Sequence, residues 1–150
     1  MPLLNRKSIE KSLQIRRLIE EYFDQAYKAG EFISLGMSVK DRGHGQDYFK
    51  IAGAHLERMQ SLITKATEVD PRAKEVWSKM KEVFTATYEL FLNAVQWTEF
   101  IYSPENDGSR RAQKKLNDFS DRNGYPGKSG DYLAKQLLRL LDVYYAIKLD

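Results

Sequence analysis

The chain has 150 residues, 42% of them hydrophobic and 30% charged, with a net charge of +3 and no cysteine. That length suits one domain, residues 1–150, around one core. Lack of cysteine excludes a disulfide framework and a thiolate metal site. The apolar runs are too short to span a bilayer, and the first residues, MPLLNRKSIEK, carry charge too early for a signal peptide. A cytoplasmic protein with no membrane role is the simplest expectation.

Apolar spacing predicts a first helix over 8–29, with Ile9, Leu13, Leu18, Tyr22 and Ala26 recurring mostly four apart and Ile15, Ile19 and Phe23 alongside. Gly30 is a candidate stop, although Phe32, Ile33 and Leu35 are able to continue the apolar face. Residues 36–47, GMSVKDRGHGQD, hold three glycines and read as a loop. A second helix is predicted over 47–67 from Phe49, Ala52, Leu56, Met59, Ile63 and Ala66, whose steps of three and four mark a buried stripe.

Asp70-Pro71 reads as the N-cap and first position of a long third helix reaching residue 102. Val76, Met80, Val83, Thr87, Leu90, Ala94, Trp97 and Ile101 form its stripe. Trp77, Phe84, Phe91 and Val95 widen it, so this helix should pack against more than one neighbour. A short helix follows over 110–120, capped by Ser109, with Ala112, Leu116 and Phe119 inward. Residues 122–130, RNGYPGKSG, read as a second glycine-rich loop. The last helix covers 131–148 with Leu133, Leu137, Leu140, Leu141, Tyr144 and Ile147 on its core face. The expected fold is all-α, a bundle of four long helices plus one short helix.

Few residues carry chemistry. The two histidines are eleven apart and no Glu-x-x-His occurs, so neither a zinc site nor a di-iron bundle site is expected. His55 precedes Leu56 of the core stripe and reads as a boundary residue. His44 lies between Gly43 and Gly45, where a loop would give it no rigid support for acid–base catalysis. The Gly127-Lys128-Ser129 triplet lacks the earlier glycine and the preceding strand of a phosphate-binding loop. No cofactor and no enzymatic activity are expected.

Charge distribution points elsewhere. Residues 1–17 carry five cations against Glu10, and residues 109–139 carry eight against three aspartates. Arg110, Arg111, Lys114 and Lys115 share a helix face opposite Ala112, Leu116 and Phe119. Arg122 and Lys128 extend that patch, Lys40 and Arg42 sit in the first glycine loop, and Arg16 and Arg17 lie near the start. Such groups release counterions from a phosphate backbone and give salt-dependent, sequence-tolerant affinity. Tyr125, in a glycine-proline segment, suits capping of the core or else stacking on an unpaired base.

The Arg110-Arg111/Lys114-Lys115 cluster, Arg16-Arg17 and the long helix over 71–102, in a basic, cysteine-free helical chain of this size, resemble the small subunit of CRISPR effector complexes. That resemblance implies a helical bundle that supports a guide–target duplex or displaced strand without reading sequence. It also implies contacts with a backbone subunit and with copies of itself. The expected function is therefore non-catalytic binding of an RNA or DNA backbone within a ribonucleoprotein assembly. Two alternatives stand beside it: a protein–protein module (a phage or host inhibitor, adaptor or antitoxin), and an enzyme with an unfamiliar site around His44.

Overall fold

The computed structural model describes the backbone of residues 6–39 and 41–146, and the side chains of these apart from 6–8 and 122–131. It holds four helices, α1 (Arg6–Ser38), α2 (Arg42–Val69), α3 (Lys74–Ile101) and α4 (Arg110–Tyr145), and no strand among the described residues. The chain is all-α, and no described helix is long and apolar enough to cross a membrane.

The helices form two antiparallel hairpins, α1 with α2 and α3 with α4, and α3 touches all three others. This is the multi-neighbour role that the width of its apolar face predicts. Its partners are visible in the cross-links: the Tyr22 hydroxyl donates to the Met80 carbonyl at 2.7 Å, and Asn93 Nδ2 donates to the Phe119 carbonyl at 3.1 Å. The main core joins Ile15, Ile19 and Tyr22 of α1, Leu56, Met59 and Ile63 of α2, Val76 and Met80 of α3, and Leu137 and Leu141 of α4. Smaller clusters lie around Ile33, Phe49, Ala52 and Ala94, and around Phe100, Ala112 and Phe119. All six positions of the predicted stripe on α2 are buried.

The structure corrects the sequence reading in four places. On α1 the core face is Ile15, Ile19, Tyr22, Ala29 and Ile33, while Ile9 and Leu13 stay about half exposed (48% and 51%). Two apolar rows compete on this helix, and the one that continues to Ile33 is the one that is buried. Hence α1 does not end at Gly30: a mid-helix glycine costs about 1 kcal/mol, less than burying Ala29 and Ile33 returns.

The predicted loop 36–47 shrinks to a tight connection, and Gly43-His44-Gly45 forms the opening of α2. Gly36 and Gly45 are packing residues. A Cβ at Gly36 would lie 2.6 Å from the Phe49 ring, and one at Gly45 would lie 3.0 Å from the Gly36 carbonyl oxygen. The two helices meet closely because neither position carries a side chain.

Asp70 does not cap α3. Its backbone caps the end of α2, and its carboxylate accepts from the Tyr145 hydroxyl at 2.7 Å, so Ala73 stands at the N-cap position without a side-chain bond. Burial and this carboxylate both push the Tyr145 hydroxyl above its ordinary pKa. Trp77 seals the same end: its indole N–H donates to the Asp70 carbonyl at 2.6 Å and its ring stacks on Tyr145 at 6.3 Å.

Finally, the separate short and last helices are one helix, α4, whose backbone stays helical through 122–130. Pro126 has no N–H to give the Arg122 carbonyl. Anchors on both sides, Ala112 and Phe119 before and Leu137 and Leu141 after, seat the two halves in the core.

Candidate nucleic-acid interface

The predicted basic cluster opens α4, and local chemistry explains how it is held there. Gly108 takes φ 80°, a left-handed conformation suited to glycine, and turns the chain toward the helix. Asp107 Oδ1 accepts from the Ser109 N–H at 3.0 Å, and Ser109 Oγ in turn accepts from the Ala112 N–H at 3.1 Å as the N-cap. The Ser109 hydroxyl and N–H hold the Asp107 carboxyl below its usual pKa. Ala112 and Phe119 then plug into Phe100, which fixes the rotation of the helix and leaves Arg110, Arg111, Lys114 and Lys115 exposed.

Lys115 is the most constrained of the four. Its ammonium lies 3.3 Å from Glu105 Oε2 and 4.7 Å from the centre of the Phe100 ring. Beside it opens a cleft of about 480 Å³ lined by Phe100, Glu105, Asp107, Ser109, Arg111 and Lys115. Sequence reading found the cations and the Ser109 cap. It missed Glu105 and Asp107, although Asp-Gly-Ser ahead of a helix is a readable turn-and-cap signal.

The other predicted positions divide by the topology. Arg42 is exposed at the start of α2, at the same end of the bundle as the α4 cluster, next to Asp41. Arg16 and Arg17 are exposed at the opposite end, and Arg16 pairs with Glu20 at 3.0 Å. With 22 steps of about 1.5 Å from Arg16 to Ser38, α1 alone separates the two ends by roughly 33 Å. Lys40 and the side chains of Arg122, Tyr125 and Lys128 lie outside the described residues.

Both histidines have partners. His44, expected to lack support, stands in the first turn of α2 with Nδ1 2.6 Å from Asp41 Oδ2, while Asp41 Oδ1 accepts the Gly43 N–H at 2.9 Å. The Gly43 N–H first, and His44 second, hold the Asp41 carboxyl below its ordinary pKa. The pair is exposed to solvent on both sides.

His55 is buried between α1 and α2, stacked on Phe32 at 5.8 Å, with Nδ1 donating to Gln25 Oε1 at 2.5 Å. Burial lowers its pKa, and the neighbouring Arg58 and Lys28 lower it further. The neutral ring is therefore favoured by folding, and the unfolded chain binds the extra proton first. Its contribution is complete above the unfolded pKa of about 6.5 and is lost as pH falls through that value toward the lower folded one. The melting temperature is expected to drop between about pH 7 and pH 5. The drop should be smaller in His55→Gln; equal slopes for the two proteins would show that His55 does not set it.

No protein-family model, no curated protein and no solved structure matches this chain.

Proposed function

We propose that the α4 end of the bundle binds the phosphate backbone of a nucleic acid, without reading its sequence. In this reading the protein is a non-catalytic cytoplasmic subunit of a larger ribonucleoprotein assembly, as in the CRISPR small subunits it resembles. One observation carries the reading. Arg110 and Arg111 occupy the first two positions of α4, with Lys114 a turn later, and no acid stands in that first turn.

The N-terminus of a helix is already its positive pole. Each cation there opposes the helix dipole by about 0.3–1 kcal/mol, whereas an anion would be stabilised. Arginines at these positions do not serve the helix; they suit an anionic partner that the free N–H groups and guanidinium forks contact together. Arg42 adds to the same end.

The test is anisotropy with labelled single-stranded RNA, single-stranded DNA and duplex DNA at about 50 and 200 mM salt, the range over which several phosphate contacts lose orders of magnitude. Replacing Arg110, Arg111 and Lys114 together by alanine is expected to weaken binding for every sequence. It should also lower the slope of log affinity against log salt by about 2 to 3. An unchanged slope would remove this face from the site. Absence of binding at the lower salt would favour the protein–protein reading, which the exposure of Tyr27 (75%) and Leu35 (39%) on α1 supports.

A further inference from the structure

On the outer side of the α2–α3 seam lies a cleft of about 470 Å³, remote from the α4 cluster. Its α3 wall is a row of three aromatic rings. Phe84 stacks on Tyr88 at 5.8 Å, and Tyr88 lies 6.2 Å from Phe91. Its α2 wall is Gly53, Glu57 and Gln60, and the missing side chain at Gly53 leaves the Phe91 ring uncovered from that side, 3.8 Å from where a Cβ would be. Tyr88 is 41% exposed, so its ring is open to a ligand from solvent. Among the described residues no cation pairs with Glu57.

We propose that this cleft binds a small organic cation, an alkylated ammonium whose methyl groups lie on the rings and whose charge faces Glu57. The volume is that of a small-molecule site. Aromatic faces carry negative quadrupole charge and attract cations with apolar surfaces, most strongly when several rings act together. An anion would be repelled by the Glu57 carboxylate. A neutral molecule would gain nothing from that charge, whereas a cation with an apolar shell has favourable contacts with both walls. A phosphate backbone is disfavoured here for the same reason, so this site and the α4 cluster take ligands of opposite charge.

The probe is choline, with 3,3-dimethylbutan-1-ol as its neutral isostere, titrated into the full chain while the ring resonances of Phe84, Tyr88 and Phe91 are followed by NMR. Choline is expected to shift these rings with a Kd on the order of millimolar, and the isostere to bind at least several-fold more weakly. Glu57→Gln is expected to raise the choline Kd about threefold, and Tyr88→Ala about fivefold. Glu89→Gln, an exposed change off this wall, should leave it unaltered. Equal binding of the isostere, an unchanged Kd in Glu57→Gln, or no ring shifts at tens of millimolar choline would each overturn the proposal. Both substitutions fall on exposed positions, so loss of fold does not confound the result.

Discussion

Tyr22→Ala is expected to lower the stability of the bundle by about 3–5 kcal/mol, the range for removing a buried aromatic side chain. Against a total of roughly 5–15 kcal/mol for a domain, that is a large share. Tyr22 is fully buried in the main core, and its hydroxyl tethers α1 to α3 through the Met80 carbonyl. Burial raises its hydroxyl pKa, so the group stays protonated and donating at any ordinary pH. Tyr22→Phe keeps the ring and removes only the tether, and should cost about 1 kcal/mol. Urea denaturation of the two variants separates the terms. Equal losses would mean that the hydrogen bond, and not the ring volume, carries the effect.

The second large effect is a sign reversal between two glycines of the same helix. Gly30→Ala should stabilise the protein by up to about 1 kcal/mol, since alanine is the better helix former and nothing lies within 4 Å of the added Cβ. Gly36→Ala should instead destabilise it. Its Cβ would fall 2.6, 2.8 and 2.9 Å from three atoms of the Phe49 ring. That ring is 6% exposed and held edge-on against Phe91 at 6.3 Å, so it has little room to retreat. Overpacking of this kind costs about 1–3 kcal/mol, enough to outweigh the gain in helix propensity. Thermal melts of the two variants give the signs. Phe49→Leu, by shortening the obstacle, should reduce the cost of Gly36→Ala in a double-mutant cycle. Additive losses would show that the close approach is not the cause.

The same glycines explain where sequence reading succeeded and failed. The stripe on α2 was legible because Phe49, Ala52, Leu56, Met59, Ile63 and Ala66 form one uninterrupted periodic row, and all are buried. On α1 the row from Ile9 to Leu13 was equally periodic, but only the topology decides that Ile15 and Ile19 meet α2, α3 and α4. Gly36 and Gly45 read as punctuation because composition does not distinguish a glycine that turns the chain from one that admits a neighbouring helix. Their role becomes visible only when the Phe49 ring is placed against Gly36 and the Gly36 carbonyl against Gly45. The basic residues of α4 were legible as a face, since a single helix fixes their spacing. Their separation from Arg16 and Arg17 was not, because it depends on the antiparallel order of the hairpins. Phe84 and Phe91 were read as core width. Both do pack against the main core, but Tyr88 lies open to solvent at 41%.

The positions of the two tryptophans make the molecule its own spectroscopic ruler. Trp77 is sealed at the end where α2 gives way to α3, under Tyr145, and Trp97 packs with Phe100 and Phe119 beneath the start of α4. A Trp77→Phe protein emits only from the end where α4 starts, and a Trp97→Phe protein only from the end where α4 finishes. Coincident unfolding curves from the two would mark a bundle that melts as a single cooperative unit. An anionic ligand at Arg110 and Arg111 should perturb the Trp97 emission while leaving that of Trp77 still.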